Sequence, residues 1–308
     1  MDDQHRGDAA DHHPPGAPGA ASPPGNPGSA GGSGPDGLPF LPSTREGRAG
    51  LEAVLAEPGS ALIALDYDGT LSPIVADPAA AHVHPGSAAA LRRLAAAVGT
   101  LAVITGRPAA QALQLGGLGS VPGIIVLGHY GWERWEGGTL SSPPAPPGVD
   151  IARRDIPGVL ASAGAPEGTR VEDKGHAVAV HTRGTADPAA ALARLRGPLE
   201  ALAARAGLVV EPGRLVIELR PPGTDKGTAL AGLVRQREAL SVMFCGDDLG
   251  DLAAFAAVRE LRRDGVPGLT VCSGSPEAAR LAAEADLVVD GPDGVATLLT
   301  SLASLLSR

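Results

Sequence analysis

Short apolar runs that end in small, polar or acidic residues recur along the chain. Ala61 to Leu65 is closed by Asp66-Tyr67-Asp68-Gly69-Thr70, Leu101 to Ile104 by Thr105-Gly106-Arg107-Pro108, and Ile124 to Leu127 by Gly128-His129-Tyr130-Gly131. Unbroken apolar runs of this length, bounded by turn residues, fit strands buried on both faces, as in a parallel sheet. Helical spacing fills the intervals. Thr44 reads as the N-cap of a helix over Arg45 to Ala56, and Leu91 and Leu94 share one face of a helix from about Gly86 to Val98. The alternation resumes late in the chain. A helix over Gly227 to Arg237 precedes a strand, Ser241 to Cys245, that runs into Gly246-Asp247-Asp248. A helix over Asp251 to Val258, strands over Gly268 to Cys272 and Asp286 to Val289, and a C-terminal helix complete it. Strand-helix-strand order predicts an α/β fold with a Rossmann-like parallel sheet covered by helices.

The block from about 134 to 215 has a different texture. It opens on a Pro/Gly-rich, hairpin-like stretch and continues with alternating positions from Val171 to His181. A long Ala/Leu/Arg helix (Pro188 to Ala206) and strands near Val209 and Leu215 follow. The expected organisation is therefore a core over 45–133 and 216–308, with a second α/β unit over 134–215 inserted into it. Residues 1 to 44 are Gly, Pro, Ala and Ser with scattered Asp and His, too poor in apolar side chains to offset chain entropy, so disorder is expected. His12-His13 in that tail are expected to be solvated rather than metal-binding.

Composition narrows the function classes. A net charge of -9 and a pI near 5.3 argue against a nucleic-acid or anionic-membrane surface, which needs a basic face. No run approaches the roughly 18 apolar residues of a membrane span, and the acidic start Met1-Asp2-Asp3 lacks the basic-then-apolar order of a secretory signal. A cytoplasmic protein with two buried, reduced cysteines, Cys245 and Cys272, is expected. Aromatics are only 2%, so Ala, Leu and Val must fill the core. Lysine occurs twice, at Lys174 and Lys226, with arginine supplying every other fixed cation. A position that keeps lysine suggests a need for a compact ammonium.

The strand ends carry the chemistry. Ligands of open α/β sheets bind beyond the carboxyl ends of the strands, and the polar clusters sit there. Asp66 and Asp68 leave one strand together, and Asp247, Asp248 and Asp251 follow another. Carboxylates this close repel unless a cation lies among them. An oxygen-only set suits Mg²⁺. A carboxylate nucleophile, a neighbouring acid, a hydroxyl (Thr105) and a lysine at a helix start (Lys226) make a set suited to phosphoryl transfer.

Leu65-Asp66-Tyr67-Asp68-Gly69-Thr70-Leu71, Thr105, Lys226, and Gly246-Asp247-Asp248 with Asp251 resemble, in order, the four signature segments of haloacid dehalogenase phosphatases, over roughly 60 to 295. Asp66 through Ser72-Pro73-Ile74, with the large insert between the second and third segments, is similar to the trehalose-6-phosphate phosphatase family. The resemblance implies a haloacid dehalogenase-type core with a specificity-conferring cap. It implies Asp66 as nucleophile, Asp68 as general acid and then base, and Thr105 and Lys226 as the phosphate holders. Mg²⁺ would lie on the Asp66 side chain, the Asp68 backbone carbonyl and Asp247, supported by Asp248 and Asp251. Val171-Glu172-Asp173-Lys174, His181-Thr182-Arg183 and Glu218 resemble the sugar-gripping segments, so Glu172, Lys174, Arg183 and Glu218 are expected to touch sugar, with Arg107 and His129 as further candidates. His129 reads equally well as a hydrogen-bonded core histidine, and Trp132 and Trp135 as packing at the domain hinge. The expected substrate is trehalose 6-phosphate. The alternatives are sucrose or mannosylglycerate phosphate, a phosphomutase, and a catalytically silent sugar-phosphate-binding module. Functional pairing with a trehalose-phosphate synthase is a further expectation.

Overall fold

Two sheets organise the computed structural model, which describes residues 39–75, 77–213, 215–275 and 278–307. His12-His13 and the expected tail up to residue 38 lie outside the described residues. The first helix, α1 (Arg45–Ala56), is capped as its sequence implies: the Thr44 hydroxyl accepts from the Gly47 backbone N–H. Next come β1 (Ala61–Leu65), α2 (Pro85–Leu94), β2 (Thr100–Ile104), α3 (Ala109–Gly116) and β3 (Ile125–Gly128), followed by the hairpin β4 (Glu133–Glu136) and β5 (Thr139–Ser141). The middle of the chain forms α4 (Pro147–Ser162), β6 (Arg170–Asp173), β7 (Val178–His181), α5 (Pro188–Ala206), β8 (Val209–Gly213) and β9 (Val216–Arg220). The last stretch is α6 (Lys226–Arg237), β10 (Ser241–Gly246), α7 (Leu252–Arg263), β11 (Gly268–Gly274), α8 (Ala279–Glu284), β12 (Leu287–Asp290) and α9 (Gly291–Leu306).

The larger sheet has the order β12-β11-β10-β1-β2-β3-β4-β5, parallel except for the β4–β5 hairpin. Every residue of β1 is buried, and its side chains alternate between two cores. Ile63 and Leu65 pack under α1, α2 and α9, while Leu62 and Ala64 pack under α6 and α7 with Phe244 and Phe255. Each such Ile, Leu or Phe side chain taken from water contributes about 1.5–3 kcal/mol. From β1 the chain adds strands first on one side (β2, β3) and later on the other (β10 to β12). This change of direction opens a crevice beyond the carboxyl ends of β1 and β10.

The smaller sheet, β6-β7-β9-β8, is antiparallel and covered on one face by α4 and α5 through Val149, Ile156, Leu195, Leu199 and Leu202. The sheets divide the chain at other points than the expected 134 and 215. The hairpin β4–β5 continues the larger sheet, and β9, to Arg220, belongs to the smaller one. The expected alternating stretch from Val171 to His181 is a hairpin whose turn holds Lys174 through Ala177. Helix α4 was not foreseen. Pro157-Gly158 inside it reads as a break, yet Val149, Ala152 and Ile156 recur at helical spacing and are fully buried. Both cysteines are free and buried. Among the described residues no helix is long and apolar enough to cross a membrane.

Candidate active site

Asp66 emerges from β1 with its backbone N–H bonded to the Cys245 carbonyl of β10, so the nucleophile candidate is seated by the strand pair itself. Its carboxylate is 2.7 Å from the Lys226 ammonium, which is also 2.7 Å from Asp251. Lys226 is the first residue of α6, and the helix start turns its partial positive charge towards the same point. Asp251 is fully buried beneath them, and its other oxygen accepts from the backbone N–H groups of Asp247 (2.9 Å) and Asp248 (3.2 Å). Asp251 thus orients the loop carrying Asp247 rather than lining the crevice. Thr105, at the end of β2, is buried; its oxygen accepts from the Arg107 N–H, which leaves its own proton to donate.

Carboxyl oxygens of Asp66, Asp247 and Asp251 all lie within 4.8 Å of one another. Burial, opposed by Lys226 and reinforced by Asp251 and Asp248, pushes the Asp66 carboxyl up to about 8. Burial, with Asp66 and Asp251, pushes Asp247 up to about 10. Burial alone would lower the Lys226 ammonium, but Asp251, Asp66 and Asp248 hold it well above its ordinary value. One ammonium therefore serves three carboxylates, and the oxygen-only set fits a hard divalent cation that would let all three ionise.

Gly69 makes this approach possible. Its φ is +73°, and a Cβ there would fall 1.9 Å from the Asp247 Oδ2. Gly69→Ala is expected to displace the Asp247 carboxylate, lowering stability by about 1–3 kcal/mol and weakening Mg²⁺ binding measured by calorimetry. Wild-type melting temperature and Mg²⁺ affinity in that variant would contradict the assignment.

Asp68 is held differently. Arg107 grips both of its oxygens (2.6 Å each), donates to the Pro78 carbonyl, and stacks over the Tyr67 ring at 5.4 Å. Each oxygen of Asp68 keeps a lone pair for a proton.

A crevice of about 270 Å³ joins this cluster to the smaller sheet. From the core it takes Asp66, Asp68, Thr105, Arg107, Lys226, Asp247 and Asp248, and from the smaller sheet Glu172, Lys174, Arg183 and Glu218. Lys174 sits in the β6–β7 turn, just past the strand that carries Glu172, and its ammonium meets Glu218 at 2.5 Å. Glu172 pairs with His181 at 2.8 Å. His129 does not line this crevice. It is buried edge-on against the His176 ring, and burial, opposed by Glu133 and aided by His176, pushes its imidazole down to about 4. It is a core histidine as far as burial goes, but among the described residues neither ring nitrogen has the expected hydrogen-bond partner. Trp132 donates to the Pro143 carbonyl at 3.3 Å, and Trp135 packs against the larger core.

Three residues lining the crevice escaped the sequence reading as individual candidates, Tyr130, His181 and Glu211, as did Arg220 behind Tyr130. Arg220 pairs with Glu211 at 2.6 Å and covers the Tyr130 ring at 4.8 Å. Two consecutive non-glycine residues, His129 (φ +48°) and Tyr130 (φ +58°), take left-handed backbone, at about 1–3 kcal/mol each. The only signal in the sequence is a tyrosine, one of two, directly after a strand end.

The parallel core, the acids at its strand ends and the inserted second sheet define a haloacid dehalogenase-like hydrolase fold. A sequence model of the family described as trehalose-phosphatase matches residues 64–287, and the chain belongs to that family. A trehalose-phosphate phosphatase of Mycobacterium avium is 35% identical over 255 residues, covering 79% of this chain and 62% of that protein. The coverage of the Mycobacterium marinum counterpart is 61%, so the chain spans about three-fifths of these relatives. Among solved structures, a trehalose-6-phosphate phosphatase related protein is 25% identical with a TM-score of 0.62, over 79% of this chain and 97% of that one. The C-terminal domain of Candida albicans trehalose-6-phosphate phosphatase shares the fold at 22% identity and a TM-score of 0.70, over 86% and 98% of the two chains.

Proposed function

We propose that this protein is a Mg²⁺-dependent phosphatase that hydrolyses trehalose 6-phosphate to trehalose and phosphate. The observation that carries this reading is the single crevice in which Asp66, Asp247, Thr105 and Lys226 face Glu172, Lys174, Arg183 and Glu218. One wall supplies phosphate chemistry and the other supplies acceptors and donors for sugar hydroxyls.

Thr105 and Lys226 hold the phosphoryl oxygens, and Asp66 attacks phosphorus in line. The new Asp66–phosphorus bond replaces the bond to the sugar oxygen, which leaves with a proton from Asp68. Asp68, now a carboxylate, takes a proton from water; the hydroxide attacks phosphorus, releases phosphate and restores Asp66. Arg107 keeps Asp68 aimed at the crevice through both steps. Asp66, Asp247 and the Asp68 backbone carbonyl would hold the Mg²⁺, which when bound neutralises charge on the phosphoryl oxygens. The intact set Asp66, Asp68, Lys226 and Asp247 argues against a silent binding module.

The test is phosphate release from a panel of mono- and disaccharide phosphates and phenyl phosphate, with Mg²⁺ and with excess chelator. Trehalose 6-phosphate is expected to be the best substrate, and chelator to stop turnover. Glu172→Ala is expected to lower kcat/KM for trehalose 6-phosphate about tenfold more than for phenyl phosphate. Equal losses would remove Glu172 from sugar recognition, and turnover in excess chelator would remove the metal.

A further inference from the structure

We propose that Tyr130 is a substrate-contacting residue whose phenol hydroxyl donates a hydrogen bond to a sugar oxygen next to the phosphoester, at the seam between the phosphate pocket and the cap. The inference rests on the sugar-phosphatase reading above. Four observations converge on it.

The backbone is held in place from outside. The His129 N–H donates to the Arg107 carbonyl (3.0 Å) and the Tyr130 N–H to the Thr105 carbonyl (2.9 Å). These bonds pin the turn after β3 to the loop that carries the phosphate-binding hydroxyl, and to satisfy both the chain accepts positive φ at two side-chain-bearing residues. Backbone strain of this kind persists where the surroundings enforce it, and it gathers at functional sites.

The side chain is aimed and braced. The hydroxyl lies over Gly106, where an added Cβ would come within 2.7 Å of it. Behind the ring stands Arg220, itself locked to Glu211. The aromatic wall is therefore rigid before any ligand enters.

The hydroxyl is uncommitted. Tyr67, the other tyrosine, donates to the Ala81 carbonyl at 2.9 Å, whereas among the described residues Tyr130 lines the crevice with no such protein partner. A braced donor facing a polar crevice is available to a ligand.

Its neighbours span both halves of the site. Burial first, then Glu218 and Glu211, raise the Tyr130 hydroxyl above its ordinary value, with Lys226 and Arg220 opposing. Lys226 belongs to the proposed phosphate side and Glu218 to the sugar side, and Tyr130 lines the same crevice as both. Its neutral phenol has an O–H to donate.

The experiment compares Tyr130→Phe with wild type on trehalose 6-phosphate and on phenyl phosphate, with melting curves of both proteins. The sugar-phosphate to phenyl-phosphate ratio of kcat/KM is expected to fall about tenfold in the variant. A packing role alone would lower both substrates together and leave the ratio where it was, and that outcome overturns the assignment. Wild-type protein that releases phosphate from phenyl phosphate but from no sugar phosphate would instead overturn the functional reading on which the assignment rests.

Discussion

Asp66→Asn is expected to reduce phosphate release by about four orders of magnitude or more while the protein remains folded. The size of the loss follows from the crevice having no spare nucleophile. Asp247 is the acid proposed for the metal side, Asp251 is fully buried with both oxygens engaged, and Asp68 is clamped by Arg107. None can be moved onto phosphorus without dismantling another part of the site. The amide is nearly isosteric with the carboxylate and still offers an oxygen to Lys226, so the seat on β1 and β10 is preserved. It also removes a charge from a crowded, buried set of acids. Loss of turnover with an unchanged or raised melting temperature at pH 8 is therefore the expected pair of results. Unfolding of the variant would leave the substitution uninformative about chemistry, and labelling of the wild-type protein from ³²P-labelled trehalose 6-phosphate, quenched in acid during turnover and absent in a folded Asp66→Asn protein, supplies the second measurement. Normal turnover in that variant would end the case for Asp66 as nucleophile.

Much of the core was legible because its signals are local. Five apolar residues between turn signals, as in Ala61 to Leu65, leave little choice but a strand buried on both faces, and an acid at its end can only lie at a sheet rim. The same holds for Thr105 and for Asp247. What failed was non-local. Nothing within Glu133 to Ser141 says that this hairpin pairs with β3 in the larger sheet, and nothing within Val216 to Arg220 says that it pairs with β7 in the smaller one. Helix α4 was hidden because burial of Val149, Ala152 and Ile156 outweighs the breaking tendency of Pro157-Gly158. In the site, the types and order of residues were readable, while their pairings were not. Asp68 with Arg107 spans 39 residues of chain and Lys174 with Glu218 spans 44. The orientation of Tyr130 depends on a left-handed turn that sequence rules assign to glycine, so a tyrosine there carries no recognisable signature.

In chelator, the folded protein is expected to lose stability as pH rises from about 6 to 9, and Mg²⁺ is expected to restore more of it at pH 9 than at pH 6. The sign comes from proton counting. Unfolded aspartates ionise near 3.9, whereas in the folded protein Asp66 holds its proton to about 8 and Asp247 to about 10. Between these values the folded state binds more protons than the unfolded one. The slope of unfolding free energy against pH is therefore negative. Their contribution is whole below the unfolded value and is lost as pH rises through the folded values, first that of Asp66 and then that of Asp247. Other groups titrate as well, so the comparison is with Asp247→Asn, in which those groups are shared. Relative to that variant, the wild-type melting temperature in chelator should drop by a few degrees across the interval. A divalent cation competes with the same protons, so its stabilisation, which grows with its concentration over its dissociation constant, should rise with pH. In Asp247→Asn the Mg²⁺ effect should be small at both pH values. A Mg²⁺-induced shift that is equal at pH 6 and pH 9, or that survives the Asp247→Asn change intact, would show that the ion does not sit among these carboxylates.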